Sequence, residues 1–241
     1  MTHTALDAPE TSEAGRRSRR AQISLAAGIG YSLAWLAGLA VFGSSTQVDS
    51  SGAQVLRAYT GHQGAVTAQF ALTEGAAALM LAVVTWSLAG ALIRRAGTLR
   101  LLTLASGLAA SAVSLVQCAL GVWLTTALLP ERHAAAAGVV SATLNRLDGV
   151  KMLLLAALAA ATAVAVYRAA VPLPRWVGHV AAAVTVTITL SAIGYLFLDN
   201  LFATAAWLSL PLLLIFVTST AICLNRPPRH LSPADAEHGL Q

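Results

Sequence analysis

The sequence predicts an all-α polytopic membrane bundle of about six transmembrane helices with both ends inside the cell. Three observations carry that expectation. Hydrophobic residues fill 57% of the 241 positions and charged residues only 10%, at a mean hydropathy of +0.71, whereas a soluble domain carries roughly 25% charged residues. The apolar residues gather into long uncharged runs rather than recurring at helical or strand period. The arginines sit at the ends of those runs, and mostly on one side of them.

Crossing roughly 30 Å of hydrocarbon at 1.5 Å per residue takes about 20 residues, because a helix satisfies its own backbone polar groups in lipid. Six runs qualify, from Ile23 to Gly43, Gly75 to Ile93, Leu101 to Leu129, Val150 to Tyr167, Val177 to Leu198 and Leu201 to Leu224. Together they make one membrane domain over 21–224, flanked by polar tails at 1–20 and 225–241 that read as disordered and cytoplasmic. The third run is longer than a bilayer needs. The fourth is the shortest, with Lys151 at one edge where its side chain can snorkel to the surface.

Orientation follows the basic residues, which cytoplasmic loops retain. With the N-terminus inside, one side holds Arg16, Arg17, Arg19, Arg20, Arg94, Arg95, Arg100, Arg168, Arg175, Arg226 and Arg229, and the other only Arg57, Arg132, Arg146 and Lys151. The formal charge of +5 is therefore membrane-edge arginine rather than a nucleic-acid patch. Ser18-Arg19-Arg20 before an apolar stretch resembles a twin-arginine export signal. The absence of an A-x-A-like site near Gly43, and Gln22 where an apolar residue belongs, favour an uncleaved first span.

The outer connections carry short helices. Asp49 or Ser50 can cap one whose apolar face is Val55, Leu56 and Tyr59, ending at Gly61. Pro130 can open another, with Val139, Val140, Leu144 and Leu147 on one face, as a lid over the bundle. Inside, Val171-Pro172-Leu173-Pro174-Arg175-Trp176 is a stiff link, and Asp199-Asn200 outside makes a hairpin of the last two spans. Pro211 should kink the sixth span.

Charges within hydrocarbon are the usual sign of an ion path. Here Glu74 and Lys151 fall at outer edges and Asp199 at a turn, which argues against a proton-coupled pump. Gln117, deep in the third span, reads as an interhelical hydrogen bond. His179 has no second histidine at its depth, so haem is not expected, nor is any other cofactor or metal. Cys118 and Cys223 fall toward opposite ends of the membrane and do not pair.

Gly107, Ser111, Ser114, Cys118, Gly121 and Thr125 put small residues on one face of the third span. That face is a helix-packing surface, within the bundle or between copies, with a lined permeation path as the sharper alternative. Glu74, Arg146, Asp148 and Lys151, near Glu131, His133 and Asp199, are where acids and bases can converge. They form either a salt-bridged cap or a site for a small substrate or lipid headgroup. No G-x-S-x-G, H-E-x-x-H or P-loop is present, and the repeated Asp motif of membrane phosphotransferases is reduced to Asp148-Gly149.

Asp49-Ser50-Ser51 through Tyr59 and His62, then Leu147-Asp148-Gly149-Val150-Lys151-Met152-Leu153, then Leu173-Pro174-Arg175-Trp176, are similar to a group of uncharacterised six-span membrane proteins of high-GC actinobacteria. The resemblance covers most of 22–224, and fourteen Arg against one Lys fit a high-GC source. It implies a small helical bundle in the cell membrane and carries over no catalytic residue. The expected function is therefore non-enzymatic, through helix packing or contact with membrane lipids, a second copy of the chain or another membrane protein. A small-solute transporter or channel component, and a protein binding or modifying lipid headgroups at the outer face, are the alternatives.

Overall fold

The computed structural model describes residues 10–43, 46–93 and 95–225. Seven helices account for most of them: α1 Glu10–Val41, α2 Gly52–Tyr59, α3 Gln63–Ala91, α4 Gly97–Leu128, α5 Ala134–Tyr167, α6 Arg175–Phe197 and α7 Asn200–Leu224. No strand occurs among the described residues. Six of the seven, all but α2, are long and apolar enough to cross a membrane, so the polytopic all-α class read from the sequence is the fold observed.

The spans form a closed ring. α3 lies between α1 and α4, α5 between α4 and α6, and α7 between α6 and α1, with α7 also touching α3. First and last spans shut the ring by close approach. A Cβ on Gly28 would run into the Ala221 side chain, and Ser32 Oγ and Thr218 Oγ1 share a hydrogen bond of 2.7 Å. Large apolar side chains such as Leu33, Leu79, Leu101, Val186 and Ile215 point outward, the inverse of a soluble protein and the arrangement lipid demands. Trp176 at the start of α6 and Trp207 at the start of α7 are exposed at opposite ends, as interfacial aromatics are.

The structure departs from the sequence expectation at several joints. Helix α1 begins at Glu10, so residues 10–20 continue the first span instead of forming a tail; Pro9, Glu10 and Glu13 make a composition suited to a helix start. The remainder of the expected tails, 1–9 and 226–241, lies outside the described residues, as do the side chains of Arg16, Arg17, Arg19 and Arg20. The expected outer helix and fourth span are one helix, α5, of 34 residues. It opens after Arg132, whose φ of 56° turns the chain, and not at Pro130. Alanine-rich from Ala134 onward and free of proline, it has nothing to break it, and at about 51 Å it stands well clear of a bilayer.

Helix α2 lies against that projecting part of α5. Its N-cap is Ser51, not Asp49 or Ser50: Ser51 and Gln54 form a reciprocal capping box, with the Ser51 amide donating to Gln54 Oε1 at 2.7 Å. Val55 and Tyr59 are buried and Leu56 half-buried, and the chain reverses at Gly61 with φ 85°. The preceding loop is held by Val48, whose amide donates to Asn200 Oδ1 at 3.3 Å and whose carbonyl accepts from Asn145 Nδ2 at 2.9 Å. Leu198, at φ 57°, and Asp199, whose Oδ1 accepts from the Leu201 and Phe202 amides, make the tight α6–α7 hairpin. Pro211 lies within α7.

Gly52 sets the distance between α2 and α5, since a Cβ there would collide with the Ala134 carbonyl. Gly52→Val is expected to destabilise the folded protein by about 1–3 kcal/mol through overpacking, read as a lowered thermal midpoint in detergent. Gly64→Ala, in open space, leaves that midpoint unchanged; equal midpoints for both variants would show that α2 is not docked this way.

Candidate functional site

The buried apolar side chains form two clusters. The larger runs through the spans and includes Leu81, Leu88, Leu155, Val184, Ile188 and Phe216. The smaller lies under α2 and contains Val55, Val66, Leu124, Leu129, Val140 and Leu144. Between them in sequence on α3 is Glu74, and between them on α5 are Asp148 and Lys151.

Glu74 comes from a π-helical segment, Ala71–Ala76, inside α3. Such a segment inserts an extra residue into a turn and re-aims the side chains around it, a device frequent at functional sites. Glu74 is 6% exposed and Lys151 4% exposed, so both are taken from solvent. Lys151 Nζ donates to Glu74 Oε1 at 2.9 Å, to Glu74 Oε2 at 2.8 Å and to Asp148 Oδ1 at 2.6 Å. An ammonium has three protons, and all three are committed to carboxylates. Asp148 reaches the same ammonium because it stands three residues earlier on one helix face.

Neighbouring helices close the site. From α1, the Trp35 ring centroid lies 5.7 Å from Lys151 Nζ, in cation–π range. From α4, Gln117 Nε2 donates to the Leu144 carbonyl at 3.1 Å and to Asp148 Oδ1 at 3.4 Å, which is the interhelical bond expected of it. Gln117 Oε1 is buried without a partner among the described residues. Tyr31, Trp35, Thr73, Ser114 and Lys151 line a cavity of about 10 Å³ beside the ions, space for a single water molecule.

Burial and mutual pairing are what sequence reading missed. Glu74 precedes Ala91 by 17 residues, Lys151 precedes Tyr167 by 16, and Ser114 follows Gly97 by 17. Each is thus about 25 Å from the same end of the bundle, so the three lie at one level. Lys151 does not snorkel; it turns inward. The available signal was the matched distance of two opposite charges from the arginine-rich ends of their runs.

The other outer-face candidates do not join. Arg146 is exposed, and among the described residues it has no ion pair. Glu131 pairs with His133 at 3.0 Å on the surface, and Asp199 caps α7. His179 Nδ1 meets the Tyr167 hydroxyl at 2.9 Å. Among the described residues, no group of three or more His, Cys, Asp or Glu side chains is placed to hold a metal ion.

The small residues of α4 face α3. A Cβ on Gly107 would strike the Thr85 side chain, and one on Gly121 the Phe70 ring. A Cβ on Gly75 would approach Cys118 Sγ to 3.3 Å. Ser111 and Thr125 return their hydroxyls to the Gly107 and Gly121 carbonyls, and Thr125 Oγ1 also meets Thr67 Oγ1 of α3 at 2.7 Å. Ser114 is buried against the ion site. Both cysteines are free, Cys118 half-buried and Cys223 buried.

No family model, curated protein or solved structure matches this chain. The ion triad and its packing are therefore interpreted from their own chemistry.

Removing Lys151 leaves the buried Glu74 carboxylate without its cationic partner. Lys151→Met is expected to cost about 3–5 kcal/mol, read as loss of the detergent-soluble folded peak or a large drop in thermal midpoint. Glu74→Gln, which keeps an acceptor for Lys151 and leaves the Lys151–Asp148 pair, is expected to cost less. The reverse order, or a Lys151→Met protein as stable as the parent, would show that the triad is not what holds α3 to α5.

Proposed function

We propose that the chain is a multi-pass protein of the cell membrane, with both termini in the cytoplasm, that works without catalysing a reaction. It acts through helix packing and contact with lipid or another membrane protein. The observation that carries this reading is the saturation of Lys151. An ammonium whose three protons are all held by Glu74 and Asp148 is a clasp between α3 and α5, not a donor kept ready for a substrate. The close contacts at Gly28, Gly107 and Gly121 add to that reading, since small residues are what let spans approach without a hydrophobic driving force between them.

The distribution of charge supports the orientation. Arg95, Arg100, Arg168 and Arg175 belong to the end of the bundle where α3 and α5 finish and α4 and α6 start, while Arg57 and Arg132 belong to the opposite end. Cytoplasmic retention of arginine puts the first group inside.

In intact cells, Glu131→Cys in the turn before α5 is expected to react with a membrane-impermeant maleimide, and Thr98→Cys at the start of α4 only after permeabilisation. The opposite pattern would invert the topology. Proteoliposomes of the purified protein are expected to hold small solutes as tightly as protein-free vesicles; solute movement abolished by Gly121→Leu would overturn the non-transport reading.

A further inference from the structure

The end of the bundle opposite α2 holds a second charged feature. There the α3–α4 turn and the α5–α6 link come together, pinned by the Ile93 amide donating to the Ala170 carbonyl at 3.0 Å. Ala169 beside that bond holds φ 51°, which turns the chain sharply after α5. Between the two segments opens a cavity of about 280 Å³, near the lower bound of small-molecule sites. Arg95 reaches it from the turn before α4, and Arg168 from the C-cap of α5. Thr98 contributes a hydroxyl to the same lining, and no acidic side chain is among the lining residues.

Two guanidinium groups on separate segments, with no carboxylate paired to either among the described residues, put a double positive charge on one concave surface. Neither arginine is in an ion pair among the described residues. The guanidinium fork matches the oxygens of a phosphate, and two forks match one phosphate from two sides. The mouth of the cavity is bordered by exposed Ile93, with exposed Leu101 and Leu102 one turn along α4 and Tyr167 at the end of α5. An acyl chain has apolar surface to lie on directly beside the charged site.

We propose that this cavity binds the phosphate of an anionic membrane-lipid headgroup, with Arg95 and Arg168 as its two cationic contacts. The lipid source follows from the orientation given above, which sets the cavity at the inner membrane surface, and the site is where a basic pocket between spans meets anionic lipid.

Purified full-length protein in detergent provides the test, with its thermal midpoint followed against added phosphatidylglycerol, phosphatidylcholine, and inorganic phosphate at matched ionic strength. Phosphatidylglycerol is expected to raise the midpoint and phosphatidylcholine is not. The Arg95→Gln/Arg168→Gln double variant is expected to lose about thirtyfold in apparent affinity for phosphatidylglycerol, and each single variant about fivefold. Arg100→Gln, exposed on the first turn of α4 but outside the cavity lining, keeps the parental affinity. Competition by inorganic phosphate against phosphatidylglycerol supports the phosphate as the recognised group. Phosphate binding with no preference for phosphatidylglycerol over phosphatidylcholine overturns the lipid source. Parental affinity in the double variant, or in both single variants, overturns the site. Detergent solution has no inside or outside, so this outcome is independent of the maleimide labelling that tests orientation.

Discussion

The rest of the bundle is arranged around one demand, that a buried lysine ammonium be brought within 3 Å of a buried and a half-buried carboxylate. An isolated charge in hydrocarbon is too costly to leave unpaired. The helices bearing Glu74 and Lys151 must therefore match depth, and Lys151 must bend inward instead of reaching for the surface. The arrangement is not a stability gain in itself, because desolvating the ions offsets most of their attraction. What it supplies is register. A slide of one turn along either helix would separate partners that nothing else in the apolar core can replace.

That register fits the glycine contacts. Gly107 and Gly121 bring α4 onto α3, and Gly149, just before Lys151, packs against Leu196 and the Ala192 carbonyl of α6. The widened π turn at Ala71–Ala76 lies where α3 must satisfy both neighbours at once, presenting Glu74 to α5 while Gly75 faces Cys118 of α4. A regular helix advances 100° per residue, and the added residue shifts the phase between the halves of α3. The two halves of one span can then serve different partners.

Much of the fold was legible in the sequence because lipid imposes a length and an apolar composition that a simple count detects. Six spans, the short helix α2 with Val55 and Tyr59 inward, and the Asp199 hairpin all follow from local rules. The joints were less legible. Hydropathy falls in the first part of α5, yet the backbone there stays helical, so a drop in hydrophobicity at residues 134–149 looked like a separate element. The site was least legible of all. Glu74 and Lys151 are 77 residues apart, and each alone reads as a charge at a span edge. Only packing reveals that both turn inward and meet. Arg146 shows the converse: it sits two residues from Asp148, but helix geometry turns it away from the site that its neighbour joins.

The two asparagine bonds to Val48 tie the loop before α2 to both α5 and α7, which stand on either side of α6. The loop therefore acts as a drawstring across the mouth of the ring. Spreading the bundle outward, whether to admit a ligand or to let the core take up water, requires that both knots slip together. At the arginine-bearing end the Ile93–Ala170 bond joins the α3–α4 turn to the α5–α6 link, so each face of the ring carries a tie of its own.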